Sequence, residues 1–360
     1  MTITQQLHDL GQSLWLDNIT RGILDNGTLR RYIDELSVTG LTSNPTIFDE
    51  AIGASSLYDA GIRQKARAGL KGEALFVELA LEDLCRAADL FRPVHERTRG
   101  TDGWVSMEVS PLLADDTKST LAAARSIHQM ANRPNLYVKI PGTPAGVPAI
   151  EEAIFAGVPV NVTLLFSREQ YLAVAEAYMR GIERRVAAKL DPRVSSVASL
   201  FVSRWDKAAG EKAPPDLRNR LGIAIAGRTY RAHCELLKTK RWRDLEAAGA
   251  MKQRLLWAST GTKDPKASPT LYIEALAAPD TIDTMPEKTL LAFASQGKVG
   301  SAMPADGGDS EKVLARFADA GIDIGDLARK LQLEGAQSFV KSWNELLQSI
   351  ADKSATLATS

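Results

Sequence analysis

A single lysine stands in an otherwise apolar, β-rich run, and this setting makes it a candidate for covalent chemistry. Lys139 follows Leu136, Tyr137 and Val138 and precedes Ile140. An ammonium group is costly to bury unless its pKa falls or it finds partners. A lysine with a lowered pKa attacks a ketone to form an imine, whose positive nitrogen withdraws electrons from the adjacent carbon–carbon bond. A lone lysine at the end of a strand is more often a structural or surface residue than a catalytic one. The residues around Lys139 are therefore needed to distinguish a catalytic role from a structural one.

Two carboxylates and a threonine could supply the proton transfers that imine chemistry needs. Asp17 and Glu108 stand near the ends of two other predicted strands, where they could act at the carbinolamine and aldol steps. Thr163, on a further strand, could hold a water molecule between Glu108 and the lysine. Simpler roles stay open, since Asp17 could cap the turn that begins with Asn18 and Glu108 could be paired with a nearby arginine.

Short β-rich runs alternate with helical periodicity along most of the chain, which is typical of parallel strands joined by helices. Eight runs are predicted to be strands: residues 14–19, 40–44, 104–109, 136–140, 159–165, 197–203, 254–259 and 281–285. Eight strands fit a closed (β/α)8 (TIM) barrel of the α/β class. A doubly wound open sheet is the alternative, but no GxGxxG sequence follows the first strand, so the usual nucleotide-binding fingerprint of that fold is missing.

Polar residues recur at one parity in these strands, close to their C-terminal ends. Successive strand residues point to opposite faces, so Lys139 shares a face with Tyr137. In barrels the C-terminal ends of the strands carry the active site, and we therefore expect the polar side chains to converge there. The converging set is predicted to be Asp17, Ser106, Glu108, Lys139, Asn161, Thr163, Ser199 and Ser259.

The chain is longer than a minimal barrel requires. A (β/α)8 barrel typically needs ~250 residues, whereas this chain has 360. We predict one domain over residues 1–360, with inserted helices and with residues 298–360 as appended helices packed on the outside of the barrel. Among the helices that join the strands, the clearest start signal is the capping-box pattern of Ser167 and Gln170.

Composition argues against several classes of function. The formal net charge is zero and the pI is near 6.9, so no overall attraction to nucleic acid or to an anionic membrane is expected. The first ten residues are polar and no stretch approaches the ~20 apolar residues of a membrane span, which favours a cytoplasmic location. Cys85 and Cys234 are far apart, and the four histidines never fall in a ligand spacing, so neither a disulfide framework nor a metal site is predicted.

Four segments resemble the sequence signatures of the transaldolase family. Residues 40–48 (GLTSNPTIF) are similar to the first signature, and residues 136–143 (LYVKIPGT) to the second, which carries the imine-forming lysine. Residues 161–167 (NVTLLFS) and 199–204 (SLFVSR) are similar to two further family segments. The resemblance runs from residue 14 to about residue 286, with the segments in the family's order. It implies a barrel enzyme that requires no cofactor.

The resemblance also implies a role for each candidate residue. Lys139 would form the Schiff base, and Asp17 would move the proton in carbon–carbon cleavage. Glu108, with a water molecule on Thr163, would be the acid and base of imine formation. The residues implied to bind substrate are Asn44, Asn161 and Ser199 at its hydroxyls, Phe201 beside it, and Arg204 and Ser259 at its phosphate.

One position departs from the family pattern. Many members have an arginine two residues after the serine that corresponds to Ser259, but this chain has Gly261 there. The resemblance to the longer bacterial members implies that Lys263, presented by the same glycine-containing turn, supplies the second positive charge for the phosphate. The alternative is a solvated loop lysine.

The implied reaction transfers a dihydroxyacetone unit from sedoheptulose 7-phosphate or fructose 6-phosphate to glyceraldehyde 3-phosphate or erythrose 4-phosphate, in the non-oxidative pentose phosphate pathway. The first alternative is a lyase, fructose 6-phosphate aldolase, which releases the unit. In that subgroup a glutamine and a tyrosine usually stand at the positions of Glu108 and Phe201, so these two residues favour transfer. The second alternative is a non-catalytic sugar-phosphate-binding barrel. The expected partners are small sugar phosphates, with the protein a monomer or homodimer.

Overall fold

A closed barrel of eight parallel strands forms the centre of the computed structural model, which describes residues 1–358. The strands are hydrogen-bonded in chain order, and the eighth closes the barrel onto the first. The predicted (β/α)8 fold is confirmed, and each predicted strand boundary lies within two residues of the observed one. The strands are β1 Gln12–Asp17, β2 Val38–Thr42, β3 Trp104–Glu108, β4 Leu136–Pro141, β5 Val160–Leu165, β6 Ser196–Phe201, β7 Arg254–Ala258 and β8 Thr281–Met285.

Helices surround the barrel. The helix start predicted at Ser167 is confirmed, because its Oγ accepts a hydrogen bond from the backbone N–H of Gln170 at 3.2 Å where α9 begins. The Gln170 side chain accepts from the N–H of Phe166 at 2.7 Å, and not from that of Ser167 as in a full capping box. No helix within residues 1–358 is long and apolar enough to cross a membrane. The helices are α1 Ile3–Asp9, α2 Arg21–Asp25, α3 Thr28–Glu35, α4 Pro45–Ala54, α5 Asp59–Arg67, α6 Gly72–Arg97, α7 Thr117–Ala131, α8 Gly146–Phe155, α9 Arg168–Ala187, α10 Ser203–Ala209, α11 Leu221–Leu236, α12 Lys240–Ala247, α13 Leu271–Ala275, α14 Glu287–Gln296, α15 Ser310–Asp319 and α16 Ile324–Ala358.

Aromatic side chains fill the amino-terminal half of the barrel interior. The rings of Trp104 and Tyr137 stack with their centroids 4.0 Å apart, and the indole N–H of Trp15 donates a hydrogen bond to the buried Asp102 at 2.8 Å. Gly40 makes room for this layer, since a Cβ there would lie 2.6 Å from the indole of Trp15. The space that remains inside the barrel therefore lies at the carboxyl ends of the strands.

The end of the chain differs from the expected set of helices on the outer surface. After α15, which packs on α11, a single helix of 35 residues, α16, packs against α4, α5 and α6. Part of this helix crosses the mouth of the barrel, where Ser338 and Phe339 border the central cavity. The division into one domain over residues 1–360 stays a prediction, and residues 359–360 lie outside the described range.

Candidate active site

Lys139 lies inside the barrel on β4, and its charge is matched by two neighbours. Its Nζ lies 3.2 Å from Oε2 of Glu108 and donates a hydrogen bond to the carbonyl oxygen of Ser43 at 3.1 Å. The side chain is only 7% exposed. These two partners offset part of the cost of burying the ammonium group.

Glu108 is the cross-strand neighbour of Lys139, because β3 and β4 pair these two residues in register. Burial raises the pKa of the Glu108 carboxyl, and the positive charge of Lys139 opposes this rise. Its Oε2 faces the lysine, whereas its Oε1 has no hydrogen-bond partner among the described protein atoms. The simpler interpretation of Glu108 as the partner of an arginine is wrong, since its ion pair is with the candidate nucleophile.

Asp17 stands at the end of β1 and borders the same cavity as Lys139. Its Oδ1 accepts a hydrogen bond from Thr42 at 2.7 Å. Burial raises the pKa of the Asp17 carboxyl, against the opposing effects of Lys139 and of this hydrogen bond. The role of capping the following turn falls to Thr20, whose hydroxyl accepts from the N–H of Ile23 at the start of α2. The Asp17 carboxylate is left facing the cavity.

A row of hydrogen-bonded polar side chains crosses the floor of the cavity. Ser199 on β6 donates to Oδ1 of Asn161 at 2.7 Å, and Asn161 on β5 donates to Ser106 at 3.0 Å. Ser199 and Thr163 border the cavity, whereas Asn161 and Glu108 lie beneath its surface. The structure thus brings all four residues to one end of the barrel. Asn161 does not border the cavity, and through its hydrogen bond it orients Ser199.

Asn44 and Phe201 line the walls of the cavity. Oδ1 of Asn44 accepts from the N–H of Ile47 at 3.1 Å and so caps α4, while the residue also borders the cavity. The Phe201 ring, which is 6% exposed, packs against Phe166 with a centroid distance of 5.2 Å. An apolar ring therefore stands where a hydroxyl-bearing tyrosine would bring a proton donor.

The rim of the cavity carries two cations, Arg204 and Lys263. The guanidinium carbon of Arg204 lies 5.0 Å from the ring centroid of Phe201, and burial lowers the pKa of this arginine. Partial burial lowers the pKa of Lys263, and the charge of Arg204 lowers it further. Neither side chain forms an ion pair with a carboxylate in residues 1–358. Two cations on one rim, neither of them within ion-pair distance of a carboxylate, favour the binding of an anion.

Ser259 occupies the turn between these cations. Its φ is +56°, in the left-handed region that a non-glycine residue rarely adopts, and its hydroxyl lies 3.0 Å from that of Ser203. Strained backbone of this kind often occurs at ligand sites. The next residue, Thr260, is buried and hydrogen-bonded to Asp283, which anchors the segment that leads to Lys263.

The cavity has a volume of about 520 Å³. It is bordered by Lys139 and Asp17, by the hydroxyl groups of Thr163 and Ser199, and by the two rim cations. This volume lies in the range of small-molecule sites, and the cavity presents the amine of Lys139 and the two rim cations to one ligand. Within residues 1–358, no three His, Cys, Asp or Glu side chains are grouped so that they could hold a metal ion.

Several residues of the site were missed by sequence reasoning. The most consequential are Ser43, whose carbonyl oxygen faces the lysine, and Phe339, whose ring centroid lies 5.6 Å from Nζ of Lys139. For Ser43 the sequence signal is its position within the first signature segment. For Phe339 the sequence contains no comparable signal, because a helical phenylalanine is usually a core residue.

Fold and site together define a (β/α)8 enzyme built around a buried lysine with two carboxylates beside it. Comparisons with known proteins identify the family within this class. The model of the transaldolase/fructose-6-phosphate aldolase family matches residues 14–350, and the chain belongs to this family. The resemblance found in the four sequence segments is thereby confirmed.

Relatives named transaldolase match the chain over nearly its whole length. A transaldolase of Arthrobacter sp. (strain FB24) is 44% identical over 355 residues, which cover 96% of each chain. A transaldolase of Thermobifida fusca is 43% identical, and transaldolase 2 of Nostoc punctiforme is 38% identical, each over 98% of both chains. The match therefore includes the C-terminal helices as well as the barrel.

Proposed function

We propose that this chain is a transaldolase, a transferase that moves a dihydroxyacetone unit from a ketose phosphate to an aldose phosphate through an imine on Lys139. The observation that carries the proposal is the buried contact of 3.2 Å between Lys139 and Glu108, with Asp17 on the same cavity. The names of the full-length relatives support it. The substrates follow from those names and from the two rim cations.

Imine formation begins with a proton transfer from the Lys139 ammonium to Glu108, which leaves a neutral amine. Burial raises the pKa of Glu108 and so favours its protonated form. The amine attacks C2 of the ketose, and the carbinolamine hydroxyl leaves as water when it is protonated. Oε1 of Glu108 and Oγ1 of Thr163 have no hydrogen-bond partners among the described protein atoms, which supports a water molecule that bridges them and relays this proton.

Carbon–carbon cleavage follows from the imine. Asp17 takes the proton of the C4 hydroxyl, the C3–C4 bond breaks, and its electron pair moves towards the imine nitrogen. The aldose phosphate leaves, and the three-carbon unit stays on Lys139 as an enamine. Addition of this enamine to a second aldehyde, which Asp17 protonates, and hydrolysis of the new imine complete the transfer. Burial raises the pKa of Asp17, so that it can hold the proton between the two halves of the reaction.

The phosphate of each substrate binds at the rim. Arg204, Ser259 and Lys263 border the cavity there, and a guanidinium can meet two phosphate oxygens at once. Asn44 and Ser199, which also border the cavity, bind sugar hydroxyls, with Asn161 behind Ser199.

Release of the three-carbon unit to water, the lyase reaction, is not favoured. The relatives from Arthrobacter, Nostoc punctiforme and Thermobifida fusca are named transaldolases. The apolar Phe201 ring beside the cavity offers no hydroxyl that could bind a water molecule or protonate the enamine. Capture of the enamine by an aldehyde is therefore expected to be faster than its release.

A coupled assay with fructose 6-phosphate and erythrose 4-phosphate tests the proposal when free dihydroxyacetone is measured alongside. A transaldolase forms glyceraldehyde 3-phosphate only when the acceptor is present, a lyase forms dihydroxyacetone without it, and a binding protein forms neither. Lys139→Met should abolish turnover, whereas Lys341→Met, at a position on α16 with a 78% exposed side chain, should leave it unchanged.

The cytoplasmic location and the monomer or homodimer state stay predictions, which cell fractionation and light scattering would test.

A further inference from the structure

The helix α16 supplies a wall of the active site. The Phe339 ring centroid lies 5.6 Å from Nζ of Lys139 and 5.9 Å from the guanidinium carbon of Arg204. The residue is 6% exposed and borders the cavity together with Ser338. A single ring therefore stands beside both the amine that forms the imine and the cation that is proposed to bind phosphate.

Two contacts fix the position of this helix against the barrel. Nε2 of Gln332 donates hydrogen bonds of 3.0 Å to the carbonyl oxygens of Gly142 and Leu164, at the ends of the strands that carry Lys139 and Thr163. Leu164 has a φ of +60° at a point where the pairing of β5 with β6 shifts register. The glutamine thus satisfies a carbonyl group beside an irregularity in the sheet.

The opposing surfaces of α16 and the barrel are also in close contact. A Cβ at Gly335 would lie 2.9 Å from Cδ2 of Leu164 and 3.2 Å from Nη1 of Arg204. Even a methyl group at this position would push against the guanidinium. The helix backbone therefore helps to set where Arg204, and the Phe339 ring above it, can lie.

We propose that Phe339 is a specificity-determining residue that contacts the carbon chain of the donor sugar, with Gln332 as the residue that positions its helix. The inference rests on the proposed function, because it takes C2 of the donor to be bound to Lys139 and its phosphate to be near Arg204. A chain that joins these two points runs alongside the Phe339 ring. The ring limits the length of chain that fits and shields the enamine from protonation by bulk water.

Kinetics with donors of two lengths test this inference. Phe339→Ala should raise KM for fructose 6-phosphate about tenfold, since contacts of this size in a substrate pocket are worth a factor of roughly ten or more. It should also raise the ratio of free dihydroxyacetone to transferred product. Phe339→Trp should lower kcat/KM for sedoheptulose 7-phosphate more than for fructose 6-phosphate. Leu333→Ala, at a 60% exposed position on the same helix, is the matched control and should change neither quantity.

The outcomes separate this inference from the proposed function. Borohydride trapping of unphosphorylated dihydroxyacetone reports on Lys139 alone, and it should persist in every Phe339 variant; its absence from the wild-type protein would count against the proposed function. If trapping persists but both variants change the two donors equally and leave the release ratio unaltered, the specificity role of Phe339 is wrong. Should Phe339→Ala fail to fold, Phe339→Leu carries the same test. Gln332→Leu should raise KM in the same direction as Phe339→Ala, and an unchanged KM would remove its positioning role.

Discussion

Asp283 should make the stability of the protein fall as the pH rises from about 4 to about 8. This aspartate on β8 is fully buried, and burial raises its pKa to about 8, against an ordinary value of 3.8. Over that interval the native state holds a proton that the unfolded chain releases, so each pH unit costs about 1.4 kcal/mol. Integrated over the interval, the loss reaches roughly 5–6 kcal/mol, which is a large part of the stability of a typical domain.

The local geometry accounts for a neutral carboxyl group at this position. The hydroxyl of Thr260 lies 2.9 Å from Oδ1 of Asp283 and 3.0 Å from the carbonyl oxygen of Thr284. A hydroxyl has one proton and cannot donate to both, but a protonated Asp283 can donate to Thr260 while Thr260 donates to Thr284. Because Thr260 follows Ser259, ionisation of Asp283 should also loosen the segment that leads to Lys263.

Urea unfolding at pH 5, 6.5 and 8.5 measures this effect. Asp283→Asn cannot ionise, yet its amide can still donate to Thr260, so the variant should lose less stability than the wild type between pH 5 and pH 8.5. Asp319→Asn, at an exposed site, is the control and should keep the wild-type slope. If Asp283→Asn shows that same slope, Asp283 is not the buried acid described here. A rise in KM for phosphorylated substrates above pH 8 that is smaller in Asp283→Asn would extend the effect to the rim.

Three further substitutions test individual roles. Phe201→Tyr should raise dihydroxyacetone release relative to transfer, and an unchanged ratio would remove the reason for preferring transfer over release. Lys263→Ala should raise KM for phosphorylated substrates by about 10–100-fold through loss of a charge-assisted contact, whereas a change below about threefold would make this residue a solvated loop lysine. Glu108→Gln should slow imine formation by about 10²–10⁴-fold, measured by trapping kinetics; a normal rate would exclude Glu108 from proton transfer.

The barrel and the floor of its cavity could be predicted because strand geometry is simple. Side chains along a strand alternate between the two faces, so the position of Lys139 in β4 decides which face of the sheet it lies on. Closure of the barrel brings that face towards Glu108 and Asp17. The carboxyl ends of the strands then define the site without any knowledge of the helices. Strand parity predicts the correct end of the barrel for Asn161 and Glu108, but it does not give depth, and both residues lie beneath the cavity surface.

The contribution of α16 could not be predicted in this way. Gln332 donates hydrogen bonds to the carbonyl groups of Gly142 and Leu164, which are 190 and 168 residues away in the sequence. The local sequence of the helix does not predict these contacts. The apolar spacing of the helix indicates only that it has a buried face, and it does not say whether that face covers other helices or the mouth of the barrel. The left-handed backbone conformation of Leu164 could not be predicted either, because a leucine rarely adopts a positive φ.

Chemical trapping of the covalent intermediate decides whether the imine forms on Lys139. Borohydride added to the protein with fructose 6-phosphate should reduce the imine and leave a three-carbon adduct on the amine of residue 139, identified by peptide mass spectrometry. The adduct should be absent from Lys139→Met. A fully active protein with an unmodified Lys139, or with the adduct on another lysine, would exclude an imine on Lys139 as the intermediate.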